Sequence, residues 1–291
     1  MTETWPAPAK LNLFLHVTGR RPDGYHTLDT LFQFLDVGDV LRFELTADGR
    51  IARARPLAGV AEDRDLTLRA ARALQARAGA ARGAIIHLDK RLPAGGGLGG
   101  GSSDAATTLL ALNHLWGCGL SLDVLAALGL TLGADVPVFV RGHAARAEGV
   151  GEVLEPAEPP EGVYVVLAPP VQVSTAEVFA AWDREFHLTP PEAVSRIRGF
   201  RADRGGNDLE PVVRRLYPQV DNALTWLGNY GTARMTGSGA CVFLPVDAAG
   251  RGREILAALP AGLADGFVAR GVNRHPVHAR LYGENWGVAK R

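Results

Sequence analysis

The sequence predicts an α+β protein of two domains with a cleft between them. Its 291 residues are many for a single core and typical of two domains. A polar, proline-rich stretch at residues 155–162, near the middle of the chain, is typical of a linker. Strand-like and helix-like segments occur on both sides of this stretch. We therefore predict an N-terminal domain at residues 1–155 and a C-terminal domain at residues 163–285.

The N-terminal half is expected to start with two strands and then to alternate helices and strands. Asp65 is a good N-cap and Gly79 a good C-cap for its first helix. In chain order we predict strands at 11–17 and 30–45, the second broken near 36–39, a helix at 65–78, a strand at 84–88, helices at 104–116 and 122–128, and a hairpin of strands 137–140 and 144–147.

The C-terminal half is expected to open with a buried strand at residues 163–168, which two prolines end. Further helices are predicted near 175–182, 208–216, 221–227 and 254–259, and further strands near 233, at 241–246 and near 267. Strands interleaved with helices in this order favour an α+β domain of the ferredoxin-like type.

Composition excludes several classes of protein. Hydrophobic residues make up 47% and charged residues 21% of the chain, and 31 basic residues balance 31 acidic ones. Because its net charge is zero, the chain has no overall electrostatic attraction to nucleic acid or to a membrane surface, and we expect neither as a partner. The two cysteines, Cys118 and Cys241, make no disulfide framework, and the first residues do not resemble a signal peptide. We therefore expect a cytoplasmic protein.

A glycine-rich segment at residues 93–104 is the strongest functional signal, with six glycines among residues 95–101. It lies between a predicted strand and a predicted helix, so its amides and the helix N-terminus can bind an anion. This context favours a phosphate-binding loop over a flexible linker. Ser102 occupies the lysine position of the P-loop pattern, and Asp123 lies in a predicted helix rather than at a strand end, so neither common nucleotide fingerprint fits.

Only three of the 31 basic residues are lysines: Lys10, Lys90 and Lys290. In an arginine-rich chain, a lysine suits a crowded site that a planar guanidinium would not fit. Lys10 lies in an apolar run, and Lys90 just precedes the glycine segment. Asp135 is a carboxylate within an apolar stretch. Asp135 could instead be a helix cap and Lys10 a strand-edge side chain, but together they supply what phosphoryl transfer requires.

Two turns complete the candidate site. The stretch at residues 236–240 carries glycines at 237 and 239 and is either a tight hairpin or a backbone wall that faces a ligand. The turn at residues 21–26 presents Tyr25 and His26 on a loop. Tyr25 could stack on a base and His26 could hydrogen-bond its edge, or both could pack as ordinary loop residues.

Four segments, at residues 7–15, 93–106, 132–139 and 236–241, together resemble the signature segments of the GHMP kinases. Residues 21–26 and 31–39 make the chain most similar to members that phosphorylate a cytidine diphosphate-linked polyol. The resemblance covers residues 7–245 approximately. It implies a ribosomal protein S5 domain 2-like N-terminal domain and a ferredoxin-like C-terminal domain, with ATP, Mg²⁺ and substrate meeting between them.

The activity that this resemblance implies is transfer of the ATP γ-phosphoryl group to the 2-hydroxyl of a cytidine diphosphate-linked methylerythritol, in non-mevalonate isoprenoid precursor biosynthesis. A monomer or homodimer is expected. One alternative is another GHMP small-molecule kinase that acts on homoserine, mevalonate or a sugar. The other is a non-catalytic nucleotide-binding sensor on the same fold.

The resemblance also assigns roles to residues. Asp135 would be the catalytic base and Lys10 its charged partner. The ATP-binding residues would be Lys90, Pro93, Ala94, Gly95, Gly96, Gly97, Leu98, Gly99, Gly100, Gly101, Ser102 and Ser103. The substrate-binding residues would be Asn12, Tyr25, His26, Thr175 and Phe179, with Tyr25 and Phe179 sandwiching the cytosine. Asp65 stands where the family more often has asparagine, and the sequence identifies no carboxylate for Mg²⁺, so the metal ligands stay unknown.

Overall fold

A computed structural model of the chain describes residues 3–186 and 205–283. The strands are β1 (Trp5–Arg20), β2 (His26–Thr46), β3 (Ile51–Arg53), β4 (Gly83–Asp89), β5 (Ala145–Gly149), β6 (Val153–Pro156), β7 (Val163–Ala168), β8 (Arg234–Met235), β9 (Val242–Val246) and β10 (Asp265–Val272). The helices are α1 (Leu66–Ala78), α2 (Gly100–Leu115), α3 (Leu122–Leu130), α4 (Val136–Arg141), α5 (Thr175–Phe186), α6 (Glu210–Leu216), α7 (Pro218–Gly228), α8 (Ala249–Ala257) and α9 (Pro276–Tyr282), with a 3₁₀ turn at Glu62–Arg64. The predicted α+β class is confirmed.

Strand β2 organises the N-terminal half. It pairs with β1 along its length, and along its other edge it pairs in turn with β5, β10 and β4. The predicted break near residues 36–39 is wrong, because β2 is continuous there. Gly38 lies opposite Pro8, and a Cβ at this position would come within 2.2 Å of the Ala7 carbonyl oxygen. The glycine therefore allows a close approach of two strands and does not interrupt the sheet.

Helices α1 and α2 cover this sheet and bury a core that includes Trp5, Phe34 and Phe139. The predicted cap of α1 is confirmed, since the Asp65 carboxylate accepts hydrogen bonds from the amides at positions 67 and 68. Gly79 ends the helix in the left-handed conformation, with φ of 64°. Local cap signals therefore position α1 correctly.

The predicted hairpin at residues 137–140 and 144–147 is wrong. Residues 136–141 form helix α4, where Pro137 occupies the first turn and Gly142 ends the helix with φ of 73°. Proline is compatible with a first helical turn because its missing N–H has no partner there. Strand β5 pairs with β2 and β6 instead. As a result, Asp135 lies at the start of a buried helix rather than in a strand.

The C-terminal half has an antiparallel sheet in the order β10–β7–β9–β8. Numbered along this half, the strand order is 4-1-3-2, and helices connect the first strand to the second and the third to the fourth. This is the predicted ferredoxin-like arrangement. A second core packs α5, α6 and α7 against this sheet, with Trp182 and Leu224 among its buried residues.

The two halves are joined by more than the linker. A third apolar cluster contains residues of β1, β2, β7, β9 and β10. The Gln33 amide donates to Pro160 O at 3.1 Å and to Asn273 Oδ1 at 3.0 Å, and its oxygen accepts from the Tyr164 hydroxyl at 2.8 Å. Helix α9, last in the described chain, packs Val277 into the N-terminal core. The predicted domain limits stay predictions, and residues 284 and 285 lie outside the described chain.

Among the described residues, each helix is too short or too polar to cross a membrane.

Candidate active site

A cleft of about 1230 Å³ runs between the two halves, and its walls contain nearly all of the predicted site residues. The cleft is lined by the glycine segment, by the Tyr25–His26 loop and by Lys90 with residues 64–67. The site residues predicted from the sequence are therefore distant in the chain but adjacent in space. Ser103 is the exception, because it does not line the cleft.

The glycine segment presents backbone to the cleft. Gly95, Gly97 and Gly99 have φ between 69° and 75°, a conformation that side chains other than glycine rarely adopt. A Cβ on Gly97 would lie 2.3 Å from Thr236 O, so this glycine packs directly against the second glycine-containing turn. The segment is also tied to β1, because the Lys10 amide donates to Leu98 O at 2.9 Å. These contacts hold the backbone in a defined shape.

Helix α2 begins immediately behind the segment, at Gly100. The first amides of a helix have no partner within it, and the helix dipole places partial positive charge there. Ser102 in this first turn lines the cleft, whereas Ser103 is fully buried and donates its amide to Gly99 O at 2.8 Å. Ser102 is therefore available to a ligand, and Ser103 belongs to the interior of the helix packing.

Lys10 and Asp135 meet at the centre of the cleft. The Lys10 Nζ lies 3.2 Å from Asp135 Oδ2, and the lysine side chain is only 3% exposed. Asp135 precedes α4, yet its side chain caps no amide of that helix, so the interpretation as a helix cap is excluded. The ammonium also lies over the Phe32 ring, 5.2 Å from its centroid. The Asp135 carboxylate is partly exposed and faces the cleft, where a ligand hydroxyl can reach it.

Asn12 supports this pair from behind. Its Oδ1 accepts a hydrogen bond from Lys10 Nζ at 2.6 Å, and its Nδ2 donates to Thr30 Oγ1 at 2.8 Å. The Asn12 amide donates to Thr236 Oγ1 at 2.9 Å. Both ends of the Asn12 side chain thus have protein partners, which orient Lys10 toward Asp135. Thr236 belongs to the turn at residues 236–240 that the sequence indicates, whereas no local signal in the sequence indicates Thr30.

Lys90 is held by the carboxylates of Asp39 and Asp104, neither of which was predicted as a site residue from the sequence. Its Nζ donates to Asp39 Oδ2 at 2.5 Å and to Asp104 Oδ2 at 2.9 Å. Asp39 is fully buried, and its other oxygen accepts from the amides of Arg91 and Leu92. Asp104 lies on α2 and is buried. The three side chains form a compact charge cluster beside the first turn of α2.

Burial decides the protonation of this cluster. Burial raises the pKa of Asp104 to about 7, and Lys90 lowers it only in part while Asp39 raises it further. Burial also lowers the pKa of Lys90, but attraction to Asp104 and Asp39 outweighs that effect and raises it. Two carboxylates therefore share one ammonium, and the Asp104 carboxyl takes up a proton near neutral pH.

At the opposite part of the cleft, aromatic side chains surround His26. Its ring stacks on Phe179 with centroids 4.5 Å apart and planes 17° from parallel, while Tyr25 is 67% exposed on the loop. Phe179 thus stacks on His26 in this structure, and the sandwich of a cytosine between Tyr25 and Phe179 stays a prediction. Thr175 Oγ1 is 2.7 Å from Ser238 Oγ, which links α5 to the turn at residues 236–240.

Two further polar residues shape the cleft walls. Asp65 lines the cleft, but its carboxylate is engaged by the α1 amides, by the Thr67 hydroxyl and by Arg53 at 3.6 Å. Asn207 is buried, and its side-chain amide donates to Met235 O at 3.1 Å and to Gly237 O at 2.7 Å. Asn207, which the sequence analysis missed, therefore fixes the turn that packs on Gly97.

Within the described residues, no cluster of three or more His, Cys, Asp or Glu side chains is arranged to bind a metal ion. Asp135 is paired with Lys10, and Asp104 with Lys90. A divalent ion bound here would find the Ser102 hydroxyl near a triphosphate and would take its other ligands from phosphate oxygens and water. Such a donor set suits Mg²⁺, which commonly keeps several waters.

Known proteins resemble this chain over nearly its whole length. The family model described as GHMP kinases N terminal domain matches residues 65–143, and the one described as GHMP kinases C terminal matches residues 192–265. A relative from Thiobacillus denitrificans, named 4-diphosphocytidyl-2-C-methyl-D-erythritol kinase, is 56% identical over 96% of this chain and 98% of its own length. A relative of the same name from Alkalilimnicola ehrlichii is 57% identical over 96% and 94%.

Solved structures give the same result. The crystal structure of a 4-(cytidine 5'-diphospho)-2C-methyl-D-erythritol kinase, 36% identical, aligns with a TM-score of 0.76 over 92% of this chain and 99% of that one. The mevalonate kinase of Methanococcus jannaschii, at 16% identity, shares the fold with a TM-score of 0.69 over 94% and 99%. The chain therefore belongs to the GHMP kinase family and is a small-molecule kinase.

Proposed function

We propose that this protein transfers the γ-phosphoryl group of ATP to the 2-hydroxyl of 4-diphosphocytidyl-2-C-methyl-D-erythritol, a step of non-mevalonate isoprenoid precursor biosynthesis. The observation that carries the proposal is the Lys10–Asp135 pair, 3.2 Å apart in a cleft between the glycine segment and the Tyr25–His26 loop. The relatives at 56% and 57% identity, named for that substrate, support it over a homoserine, mevalonate or sugar kinase and over a non-catalytic sensor.

Asp135 orients the acceptor hydroxyl and takes its proton as the oxygen attacks the γ-phosphorus. Lys10 Nζ, held toward Asp135 by Asn12, balances the negative charge of the forming oxyanion and of the transferred group. Because the phosphoryl group is transferred through a loose transition state, positioning and charge stabilisation supply most of the rate.

The glycine segment from Pro93 to Ser102, with the first turn of α2, binds the triphosphate through backbone amides. Lys90 lies toward the nucleoside part of ATP. The Ser102 hydroxyl, together with phosphate oxygens and water, would hold a Mg²⁺ ion, which would supply neutralisation of the triphosphate charge. Tyr25, His26, Phe179 and Thr175 bind the cytidine part of the acceptor. The protein acts in the cytoplasm as a monomer or homodimer, without nucleic-acid or membrane partners.

The experiment measures ADP release in a coupled assay with three acceptors: 4-diphosphocytidyl-2-C-methyl-D-erythritol, homoserine and mevalonate. We expect turnover with the cytidine compound and at least about 100-fold lower kcat/KM with the others, because buried polar groups left unpaired penalise acceptors that lack the base. ³¹P NMR of the product identifies the phosphorylated hydroxyl. Equal or greater activity with homoserine or mevalonate would refute the assignment.

A further inference from the structure

We propose that Asp183 is a positioning residue that sets the pyrimidine preference of the cleft, because it fixes which ring nitrogen of His26 carries the proton. This inference deepens the proposed function and rests on it, since it concerns the base of the same acceptor. Asp183 lies on α5 and lines the cleft, and it was not predicted as a site residue from the sequence.

One face of α5 holds the His26 ring through three different contacts. Phe179 stacks on the ring face, Trp182 meets it edge-on with centroids 5.9 Å apart and planes at 90°, and Asp183 Oδ1 lies 2.6 Å from Nε2. These three residues occupy positions i, i+3 and i+4 of the helix, which share a face. These contacts fix both the plane of the imidazole ring and the directions in which its two nitrogens point.

The Asp183 carboxylate determines the direction of the hydrogen bond. An ionised carboxylate only accepts hydrogen bonds, so Nε2 must carry the proton that lies between the two groups. The other carboxylate oxygen, Oδ2, is 3.3 Å from Nη1 of Arg20, which only donates. The arginine thus holds the carboxylate in place and does not compete for the His26 proton.

The proton on Nε2 determines the hydrogen-bonding role of the other ring nitrogen of His26, Nδ1. In a neutral imidazole with the proton on Nε2, Nδ1 is a hydrogen-bond acceptor. Within residues 3–186 and 205–283, no protein group hydrogen-bonds to Nδ1 of His26, and the residue lines the cleft. His26 Nδ1, as a hydrogen-bond acceptor, can accept a hydrogen bond from the exocyclic amino group of cytosine. Uracil carries the acceptor O4 in place of that amino group, so it cannot form this hydrogen bond and its oxygen is repelled. Asp183 therefore favours cytidine over uridine without touching the base.

The first test observes the tautomer directly in the full chain without ligand. ¹⁵N-histidine NMR at mildly alkaline pH, with the His26 signals assigned by their loss in His26→Gln, reports which nitrogen is protonated. We expect the Nε2–H form in the wild type and a shift toward Nδ1–H in Asp183→Asn, because the amide group can donate to Nε2. Glu185→Gln is the matched control, since Glu185 lies on the same helix and pairs with Arg215 at the surface.

The second test measures selectivity with the cytidine and uridine forms of the diphosphate-linked methylerythritol. In Asp183→Asn we expect the cytidine-to-uridine ratio of kcat/KM to fall by about 10–100-fold through KM, with kcat for the cytidine form within about threefold of the wild type, because the lost contact discriminates between bases and not between transition states. Glu185→Gln should keep the wild-type ratio.

The outcomes distinguish a failure of the role of Asp183 from a failure of the proposed function. An unchanged His26 tautomer or an unchanged cytidine-to-uridine ratio in Asp183→Asn overturns the role of Asp183, even if the enzyme phosphorylates the cytidine compound. A loss of kcat at unchanged KM overturns it as well. If the wild type uses neither nucleotide form, the proposed function fails. The NMR result would then still decide whether Asp183 sets the tautomer, and the role in selectivity would fall with the substrate.

Discussion

Lys10 occupies a position that a planar cation could not fill. Its side chain is enclosed by the Phe32 ring on one side and by Asn12 on another, and a Cβ on Gly99 would lie 3.0 Å from its Cγ. A compact ammonium satisfies Asn12 and Asp135 at once from this space. The scarcity of lysine in the chain was therefore a useful signal at the residue scale.

We expect Lys10→Arg to lower kcat by about 10²–10³-fold, the usual loss when one charge-stabilising donor is misplaced. The guanidinium is too wide for the enclosed position and would displace Asp135 or the glycine segment. Steady-state kinetics and a thermal unfolding curve measure activity and folding together. Arg72→Lys, an exposed exchange of cations beside Glu62, is the control and should leave both unchanged. Full activity of Lys10→Arg would mean that charge alone suffices.

Asp104 gives the protein a pH-dependent stability. Burial raises its pKa in the folded chain to about 7, above its ordinary value of 3.8, so the folded state binds the proton more tightly than the unfolded state does. The resulting stabilisation is present in full below pH 3.8 and is lost as the pH rises through about 7. Asp104→Asn keeps a neutral side chain at every pH, although it also weakens the contact with Lys90.

The free energy of unfolding of Asp104→Asn, relative to the wild type, should therefore rise as the pH increases from 3.8 to about 7, the interval between the ordinary and the raised pKa of the Asp104 carboxyl, and level off at higher pH. Chemical denaturation at a series of pH values measures this difference. Asp123→Asn, at an exposed surface position, is the control and should show no such trend. A difference between Asp104→Asn and the wild type that is constant over pH would contradict the account of the buried cluster.

At the scale of elements, the glycine segment and the turn at residues 236–240 act as one unit. The two backbones touch at Gly97, and Asn207 fixes the turn from the other side through Gly237 O. The segment is also bonded to β1 through Leu98 O, and the turn through Thr236 Oγ1. The proposed binding of the triphosphate by this unit depends on the absence of side chains where the two backbones meet.

Gly97→Ala tests this close approach. Its Cβ would lie 2.3 Å from Thr236 O, and the residue would keep a φ of 75°. We expect ATP KM to rise by about tenfold or more, since a misplaced backbone loses its amide contacts. Gly117→Ala is the matched control: its φ is 70°, but nothing lies within 4 Å of the added Cβ. If both variants raise KM equally, backbone strain rather than the contact is responsible.

Features with a local cause could be predicted from the sequence, and features with a distant cause could not. The cap at Asp65 and the helix end at Gly79 follow from short-range geometry and are in place. The glycine loop is also in place but ends at Gly99, because α2 begins at Gly100 rather than at the predicted residue 104. The α4 segment has the pattern of a strand because five of its six residues are apolar and three of them are valine, but tertiary packing makes it a helix. The Asp39 partner of Lys90 is 51 residues away in sequence, and no local pattern indicates that contact.

At the scale of the whole molecule, the cleft depends on how the two halves are joined. The Gln33 side chain connects β2 to the linker, to β7 and to the end of β10, and it is fully buried. The apolar cluster shared by β1, β7 and β10 lies at the same junction. Lys10 and Asn12 lie on β1, which belongs both to this junction and to the proposed catalytic centre, so the junction itself positions the Lys10–Asp135 pair.

The measurement that tests the account most directly is the single-turnover rate of phosphoryl transfer to 4-diphosphocytidyl-2-C-methyl-D-erythritol in Asp135→Asn. We predict normal folding, wild-type ATP affinity and a rate lower by about 10²–10⁴-fold, the scale of a positioned acid–base group. Asp123→Asn should react at the wild-type rate. A fully active Asp135→Asn would contradict the account, because the Lys10–Asp135 pair would then have no part in the chemistry of the cleft.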